Sequence, residues 1–240
     1  MNFQSEIKKG QETYSSAIEE AHNYTRWMVS PFFKYLEGKI LEIGIGHGGY
    51  HEVLAPFGEY IGLDIDEKSV QEARKKFPKG NFQTADILEK NFYESFTKSR
   101  LDNIVMINVL EHIVEDEKAI ENLIAALCPG GHLLLNIPAF NFLYNDLDRL
   151  AGHIRRYNKG SMKKLLEGKK VEIVELYYFN PVGGIGWWVN RLKKHHSLNS
   201  SAVNSQIKIF EKFILPVSNF LNPLTAKFFG QSIICIARRL

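Results

Sequence analysis

The chain has 240 residues, with 30 Lys/Arg against 27 Asp/Glu, 45% hydrophobic and 24% charged; this is the balance of a folded globular domain, not of a disordered or fibrous chain. No apolar run approaches the ~18 residues that cross a bilayer, the start MNFQSEIKKGQETYSS lacks the apolar stretch of a secretory leader, and two isolated cysteines, Cys128 and Cys235, do not make a disulfide scaffold. The net charge of +3 is uneven: Trp187 to Leu240 holds eight basic residues against one acid, Glu211, so this end carries +7 and the remainder −4, a distribution that favours anionic partners.

The first thirty residues read as helix, leading to Ser30-Pro31 as an N-cap followed by a proline at the first helical position. A strand, KILEI, runs into the glycine turn GIGHGGY, and a helix is expected around Tyr50 to Ala55. A second strand, EYIGLDI, ends at Asp64, and Asp66 is placed to cap EKSVQEARKKF, whose basic end suits the helix dipole. A short strand, NFQTA, leads to Asp86. The fourth strand, LDNIVMINV, and the fifth, HLLLNIP, are nearly continuous apolar runs, as in the buried middle of a parallel sheet, with helix DEKAIENLIAAL and a Cys128-Pro129-Gly130-Gly131 stop between them. Alternating strands and helices give βαβ units and a doubly wound parallel sheet. After Pro138 the rhythm breaks into a polar, aromatic segment up to Tyr157, a short helix around Ser161 to Leu166, and strand VEIVELYYF. Before the last strand, QSIICIARR, lies an insertion rich in Trp and Phe. Ile207, Phe210, Ile214 and Val217 recur there at helical spacing, with Pro216 and Pro223 expected to interrupt.

The glycine turn admits two cofactors. Backbone N–H groups of such a turn can approach a nucleotide or a carboxylate, and Gly44, Gly46 and Gly49 also satisfy the dinucleotide spacing G-x-G-x-x-G. Asp64, twenty residues beyond Gly44, supplies the carboxylate that ribose hydroxyls need in either case. Glu42 would sit close to a pyrophosphate, which is unfavourable, and suits a ligand carrying ammonium and sulfonium groups. Asp86, at the end of the third strand, can accept from an adenine amino group.

On these residues the sequence resembles the class I S-adenosylmethionine-dependent methyltransferases, over Tyr24 to Ile137 and again at the final strand. Glu42-x-Gly44-x-Gly46-x-Gly48 is similar to the family's first motif, Leu63-Asp64-Ile65-Asp66 to its ribose-binding motif, and Ala85-Asp86-Ile87 to its adenine-contacting motif. Ile107-Asn108-Val109-Leu110-Glu111-His112 and Cys128-Pro129-Gly130-Gly131 resemble the segments beside its fourth and fifth strands. The resemblance implies a three-layer fold around a mostly parallel seven-stranded sheet whose last strand is antiparallel. It implies that Gly44 and Gly46 approach the methionine part of the cofactor, with Glu42 behind them, and that Asp64 binds the ribose beside Ile65. It further implies that Asp86 and the Ile87 backbone hold adenine, and that Asn108 and Val109 pack near the sulfur. Tyr24 and Arg26 would close over the cofactor, Arg26 pairing its carboxylate. The whole chain, 1–240, then reads as one methyltransferase domain. It has a helical segment at 1–37, a cofactor-binding core at 38–137, a substrate-side insertion at 138–170, and a basic, aromatic lid at 181–229.

The acceptor is less defined. The fourth strand lacks the Asn/Asp-Pro-Pro-aromatic motif of base amino-methyltransferases, which weighs against nucleic acid despite the basic tail. Gly152-His153-x-Arg155-Arg156-Tyr157 and Gly230-Gln231-Ser232 look like a bacterial subgroup associated with surface-glycan and lipid-linked sugar synthesis. A small-molecule, glycan or lipid-linked acceptor, methylated on oxygen in preference to nitrogen, is expected. His153 is the expected base and His112 the second candidate, while Arg155, Arg156 and Tyr157 are expected to grip an acidic substrate. For His153 the alternative is a structural histidine shaping the turn, and for the arginines an ion pair with Asp148. Asp146, Asp148 and His153 offer metal ligands in principle, but their spacing matches no metal motif and no metal is expected. His47 and His51 belong to the glycine turn and its helix, and His195-His196 to a solvated loop. Trp187, Trp188, Phe210, Phe213, Phe228 and Phe229, interleaved with lysines, suit either a lid or a membrane interface, so a cytoplasmic protein with peripheral contact at the inner membrane face is expected. A nicotinamide oxidoreductase and a catalytically silent cofactor-binding protein are the readings from other classes.

Overall fold

Strands that are apolar on both faces must be covered on both faces, and this dictates the layers. The computed structural model describes residues 21–46, 48–89, 92–97, 100–191 and 214–240. In chain order these form α1 (His22–Val29), β1 (Lys39–Ile43), α2 (His51–Leu54), β2 (Glu59–Asp64), α3 (Glu67–Lys76), β3 (Phe82–Thr84), α4 (Phe92–Thr97) and β4 (Leu101–Ile107). They continue with α5 (Asp116–Ala126), β5 (Leu127–Pro138), α6 (Asp146–Ala151), α7 (Lys159–Leu166), β6 (Val171–Phe179), α8 (Pro181–Asn190), α9 (Leu215–Thr225) and β7 (Ser232–Arg239). One seven-stranded sheet runs β3-β2-β1-β4-β5-β7-β6. The contacts among β1 to β5 are parallel, and β7 lies antiparallel between β5 and β6, which is the expected architecture.

The period of two along each strand sorts side chains between the layers. Leu41, Ile43, Ile104, Met106, Leu133, Leu135, Ile233 and Cys235 join one core with residues of α4, α5 and α7. Ile40, Val105, Ile107, Leu134, Ile234 and Ile236 join the other, with Trp27, Met28 and Val29 of α1, Leu54 of α2, and Val70 and Ala73 of α3. Two asparagines inside the sheet fasten the helical side: Asn136 Nδ2 donates to the Met28 carbonyl at 3.2 Å, and Asn103 Nδ2 to the Glu37 carbonyl at 2.7 Å.

Chain order reverses between β1 and β4, which lie side by side. Open α/β sheets bind ligands outside the carboxyl ends of the strands at such a switch point.

Some expected boundaries differ. Ser30 caps no new α-helix; it opens a single 3₁₀ turn, Ser30–Phe32, and its hydroxyl donates back to the Trp27 carbonyl at 2.8 Å. Asp66 does cap α3, accepting from the backbone N–H of Lys68 and Ser69. The Cys128-Gly131 stretch is already extended as the irregular start of β5. Helices α4 and α6 were not legible from periodicity, being six residues each. Pro216 falls in the first turn of α9, where a missing N–H is harmless, and Pro223 lies inside its last turn without ending it. The expected helix within residues 1–20, and the readings on His47, His195-His196, Ile207, Phe210 and Phe213, fall outside the described residues.

Candidate active site

The glycine turn is shaped by left-handed backbone: Gly44, Gly46 and Gly48 have φ of +75°, +51° and +75°, a region costly for residues with a Cβ. A Cβ on Gly44 would lie 2.3 Å from Val109 Cγ2, whereas one on Gly46 would meet nothing within 4 Å. Gly44 therefore packs the turn against the segment after β4, and Gly46 borders open space.

The N–H groups of the turn have internal partners. Those of Gly44 and Ile45 donate to the Leu63 carbonyl (2.7 and 3.1 Å), that of Gly48 to the Ile45 carbonyl (2.8 Å), and that of Gly46 to Asp64 Oδ2 (2.9 Å). These four donors are engaged within the protein and do not form a phosphate cradle, which corrects the expectation that the turn offers its N–H groups to a ligand. A pyrophosphate has no anchor at these positions.

Asp64 ends β2 with its carboxylate fixed from two sides, Oδ2 accepting from Gly46 and Oδ1 from the Asp66 N–H at 2.9 Å. Burial raises its pKa, and these backbone donors counter the rise. Ile65 beside it is 50% exposed, an apolar surface next to a carboxylate. Asp86 lies two residues beyond β3 and accepts from the Leu88 N–H at 2.8 Å; Ile87 is buried and its carbonyl accepts from Asn122 Nδ2 at 2.7 Å. Asn108 has φ of +52°, is exposed, and donates its N–H to the Asn136 carbonyl at 2.9 Å. Glu42 is buried on the opposite face from Leu41; its Oε2 accepts from the Tyr60 hydroxyl at 2.6 Å and its Oε1 has no hydrogen-bond partner. Burial pushes its carboxyl up to about 8. Tyr24, on α1, is half-buried, its phenol pushed up to about 12 by burial. Arg26 is exposed with its guanidinium 5.2 Å from the centre of the Phe33 ring.

A second polar group forms where the segment after β4 meets the insertion after β5. Asp148, on α6, is fully buried. Its Oδ1 accepts from Arg156 Nε (2.9 Å) and pairs with His153 Nδ1 (2.7 Å), while Oδ2 accepts from Trp187 Nε1 (3.0 Å) and the Asn145 N–H (2.9 Å). Burial alone would raise the Asp148 carboxyl, but His153 and Arg156 hold it below its ordinary value. His153 Nε2 lies 3.6 Å from Glu111 Oε1. Glu111 has no exposed surface and neither of its oxygens has a hydrogen-bond partner; burial pushes it up to about 7 against the pull of His153. His112 stands edge-on to His153, ring centres 4.8 Å apart, with Nδ1 3.2 Å from the Gly152 carbonyl. Burial and the neighbouring His153 bring it down to about 4.

The insertion is pinned by the remaining expected residues. Arg156, 4% exposed, donates to the Ala139 carbonyl (2.9 Å) besides Asp148. Buried Tyr157 donates to Asp116 Oδ2 at 2.8 Å, and Arg155 pairs with the same carboxylate at 2.6 Å. Arg156 and Tyr157 are thus committed to the protein, which corrects the expectation that they grip a substrate; the arginine's alternative, an ion pair with Asp148, is what forms. Arg155 keeps partial exposure. Sequence reasoning did not single out Glu111 or Trp187 as parts of this group, and named Asp148 only as the arginines' alternative partner and as a metal ligand in principle. A signal for Asp148 existed: Asn145-x-x-Asp148 is a capping box, with the Asp148 carboxylate accepting from the Asn145 N–H.

Residues 41–133 match the family model described as "Methyltransferase domain". Among curated relatives, the "Hybrid PKS-NRPS synthetase apdA" of Emericella nidulans is 33% identical over 43% of this chain and 3% of its own length. The "Ubiquinone biosynthesis O-methyltransferase" of Coxiella burnetii is 32% identical over 45% of this chain and 47% of its own length. The chain thus spans less than half the length of these relatives. Among solved structures, a SAM-dependent methyltransferase from Archaeoglobus fulgidus superposes with a TM-score of 0.60 at 16% identity, over 91% of this chain and 94% of that one; the likeness is one of fold.

Proposed function

We propose that this chain, whose residues 41–133 match a methyltransferase-domain model and whose fold is that of a solved methyltransferase, uses S-adenosylmethionine to move a methyl group to an oxygen of a small-molecule, glycan or lipid-linked acceptor. The observation that carries the cofactor half is the Asp64 carboxylate, oriented by the N–H groups of Gly46 and Asp66 beside the open space at Gly46. Each carboxylate oxygen keeps a lone pair for a ribose hydroxyl. Glu42 adds a buried oxygen without a partner behind the turn, suited to a cationic group. These residues fit the cofactor: Asp64 and Ile65 would hold the nucleoside, Asp86 and the Ile87 backbone the adenine, Gly44, Gly46 and Glu42 the methionine part, and Asn108 and Val109 the region of the sulfur. Tyr24 would close the site from α1.

When bound, the cofactor supplies an electrophilic methyl on a sulfonium. The protein then has to align an oxygen behind it and dispose of a proton. Alignment of two reactants is worth on the order of 7–11 kcal/mol, and a positioned base roughly 10²–10⁴-fold. In the metal-free protein His153 takes that proton at Nε2, its ring held by Asp148, with His112 packed beside it; Arg155 meets an acidic substrate. Oxygen as the acceptor atom is supported by the name of the Coxiella relative. Exposed Ile185, Trp188, Val217, Phe220, Leu224 and Phe228 on and after α8 and α9 support the reading of 181–229 as a lid that also rests on the inner membrane face, its residues 192–213 lying outside the described residues. No helix among the described residues is long and apolar enough to cross a membrane.

The test is a thermal melt with S-adenosylhomocysteine, NADH or neither, on wild type and Asp64→Ala. A ligand at 100 times its Kd stabilises by about 2.7 kcal/mol. We expect a shift with S-adenosylhomocysteine alone. In the variant it should shrink as charge-assisted hydrogen bonds worth roughly 1.5–3 kcal/mol each are lost. A shift with NADH alone would overturn the reading.

A further inference from the structure

We infer that Glu111, His112 and His153 form a binding site for one divalent transition-metal ion of the zinc type. Each residue offers a ligand atom, and all three atoms lie within 4.8 Å of one another; ligands about 2.0–2.2 Å from a common ion stand at most ~4.4 Å apart, so binding draws these side chains together by small rotations.

Three features of the site point to an ion. The Glu111 carboxylate has no exposed surface and no hydrogen bond on either oxygen, an arrangement that is costly for a buried anion unless something pairs with it. His153 is oriented through Nδ1 by the Asp148 carboxylate at 2.7 Å, and its Nε2 faces Glu111 Oε1 at 3.6 Å. His112 is tied through Nδ1 to the Gly152 carbonyl at 3.2 Å. Ligating histidines characteristically donate their other ring nitrogen to a carboxylate or a backbone carbonyl, and here there is one of each. Asp148 is in turn clamped by Arg156 and Trp187, so the support of the ring is itself rigid.

Two imidazoles and one carboxylate are the donor set of open catalytic sites, in which remaining positions take water or substrate. In the loaded protein His153 is a ligand and not a base. An acceptor hydroxyl bound to the ion is acidified and releases its proton to solvent. Its oxygen pair then forms the bond to the methyl carbon while the carbon–sulfur pair returns to sulfur. This role of the ion rests on the methyl-transfer reading; its binding does not.

The full chain, stripped with EDTA and dialysed, is titrated with Co²⁺ by visible absorption and with Zn²⁺ by calorimetry. We expect one equivalent of Co²⁺ to develop the bands of a nitrogen-ligated ion and one equivalent of Zn²⁺ to abolish them. Glu111→Gln, His112→Ala and His153→Ala should each weaken binding tenfold or more. Absence of saturable binding by wild type overturns the inference, as does affinity unchanged in both Glu111→Gln and His153→Ala. Should the variants fail to fold, X-ray absorption of the zinc-loaded wild type decides: a shell with two imidazoles upholds the site and one without imidazole overturns it. A melt shift with S-adenosylhomocysteine without metal binding removes only the ion. Metal binding without that shift removes the methyl-transfer reading and leaves the ion.

Discussion

The two halves of the candidate site are built by opposite means. The glycine turn and Asp64 form a backbone device: within twenty residues, N–H groups, left-handed glycines and one carboxylate shape a surface that stays partly open. The Glu111–His153–Asp148–Arg156 group is a side-chain device. It is drawn from the segment after β4, from α6 and the residues that follow it, and from α8; it is largely buried, with only His153 of the four partly exposed, and its charges are set against one another. A shape made of backbone tolerates almost any side chain except at its glycines, whereas one made of buried charges depends on every partner. This is the difference the following substitutions test.

The largest effect is expected from Arg156→Ala. Removing one partner of a buried ion pair costs roughly 3–5 kcal/mol, because Asp148 is left charged with only His153 and neutral donors. Urea unfolding should show the loss; a change under about 1 kcal/mol would mean that the group carries no more weight than a surface pair.

Gly44→Ala comes next, at roughly 2–4 kcal/mol, from left-handed strain and the clash with Val109. Gly46→Ala should cost only the strain, about 1–2 kcal/mol, while weakening S-adenosylhomocysteine by filling the space it borders. Val109→Ala should recover part of the Gly44→Ala loss and none of that from Gly46→Ala. Equal losses at the two glycines, measured by the same melts, would remove the distinction between a packed and an open side of the turn.

The smallest step concerns Glu42. Its folded pKa of about 8 lies above the ordinary 4.5, so between these values the native state holds a proton that the unfolded chain has released. Stability contributed by that carboxyl therefore falls as pH rises through this window, by at most ~1.4 kcal/mol per unit. Comparing wild type with Glu42→Gln at pH 6 and pH 7 isolates it from Asp64 and Glu111, which are raised in the same direction. Parallel stability curves for the two proteins would show that Glu42 is ionised in the folded state.

The same contrast explains what could be read from the sequence. Asp64, Asp66 and the glycines lie close together along the chain, where spacing in sequence is nearly spacing in space, and the doubly wound parallel sheet followed from the alternation of elements. Arg156 and Asp148 are eight residues apart and Trp187 is thirty-nine from Asp148. Their pairing depends on where α6 and α8 fold back, and both are too short or too atypical to announce themselves: α8 reads PVGGIGWWVN. Adjacent arginines looked like a clamp for a substrate more than like partners of Asp148, because nothing local says that this carboxylate is buried under one of them. The direction of the turn's N–H groups was equally hidden, since the Leu63 carbonyl that receives two of them belongs to the neighbouring strand.

The position of β7 sets a clock on all of this. The sixth strand in space is the seventh in sequence, and among the described residues β6 pairs with no other strand. While the chain is being made, β1 to β5 can assemble as soon as residue 138 is available, but β6 waits unpaired until Ser232–Arg239 slides in between. The corner where Asn180 Nδ2 meets Gln231 Oε1 at 2.7 Å and the Gln231 N–H meets the Asn180 carbonyl at 2.9 Å is therefore closed late, and with it the footing of α8, whose Trp187 holds Asp148. The cofactor side forms early from nearby pieces, and the acceptor side is finished by the last strand to arrive.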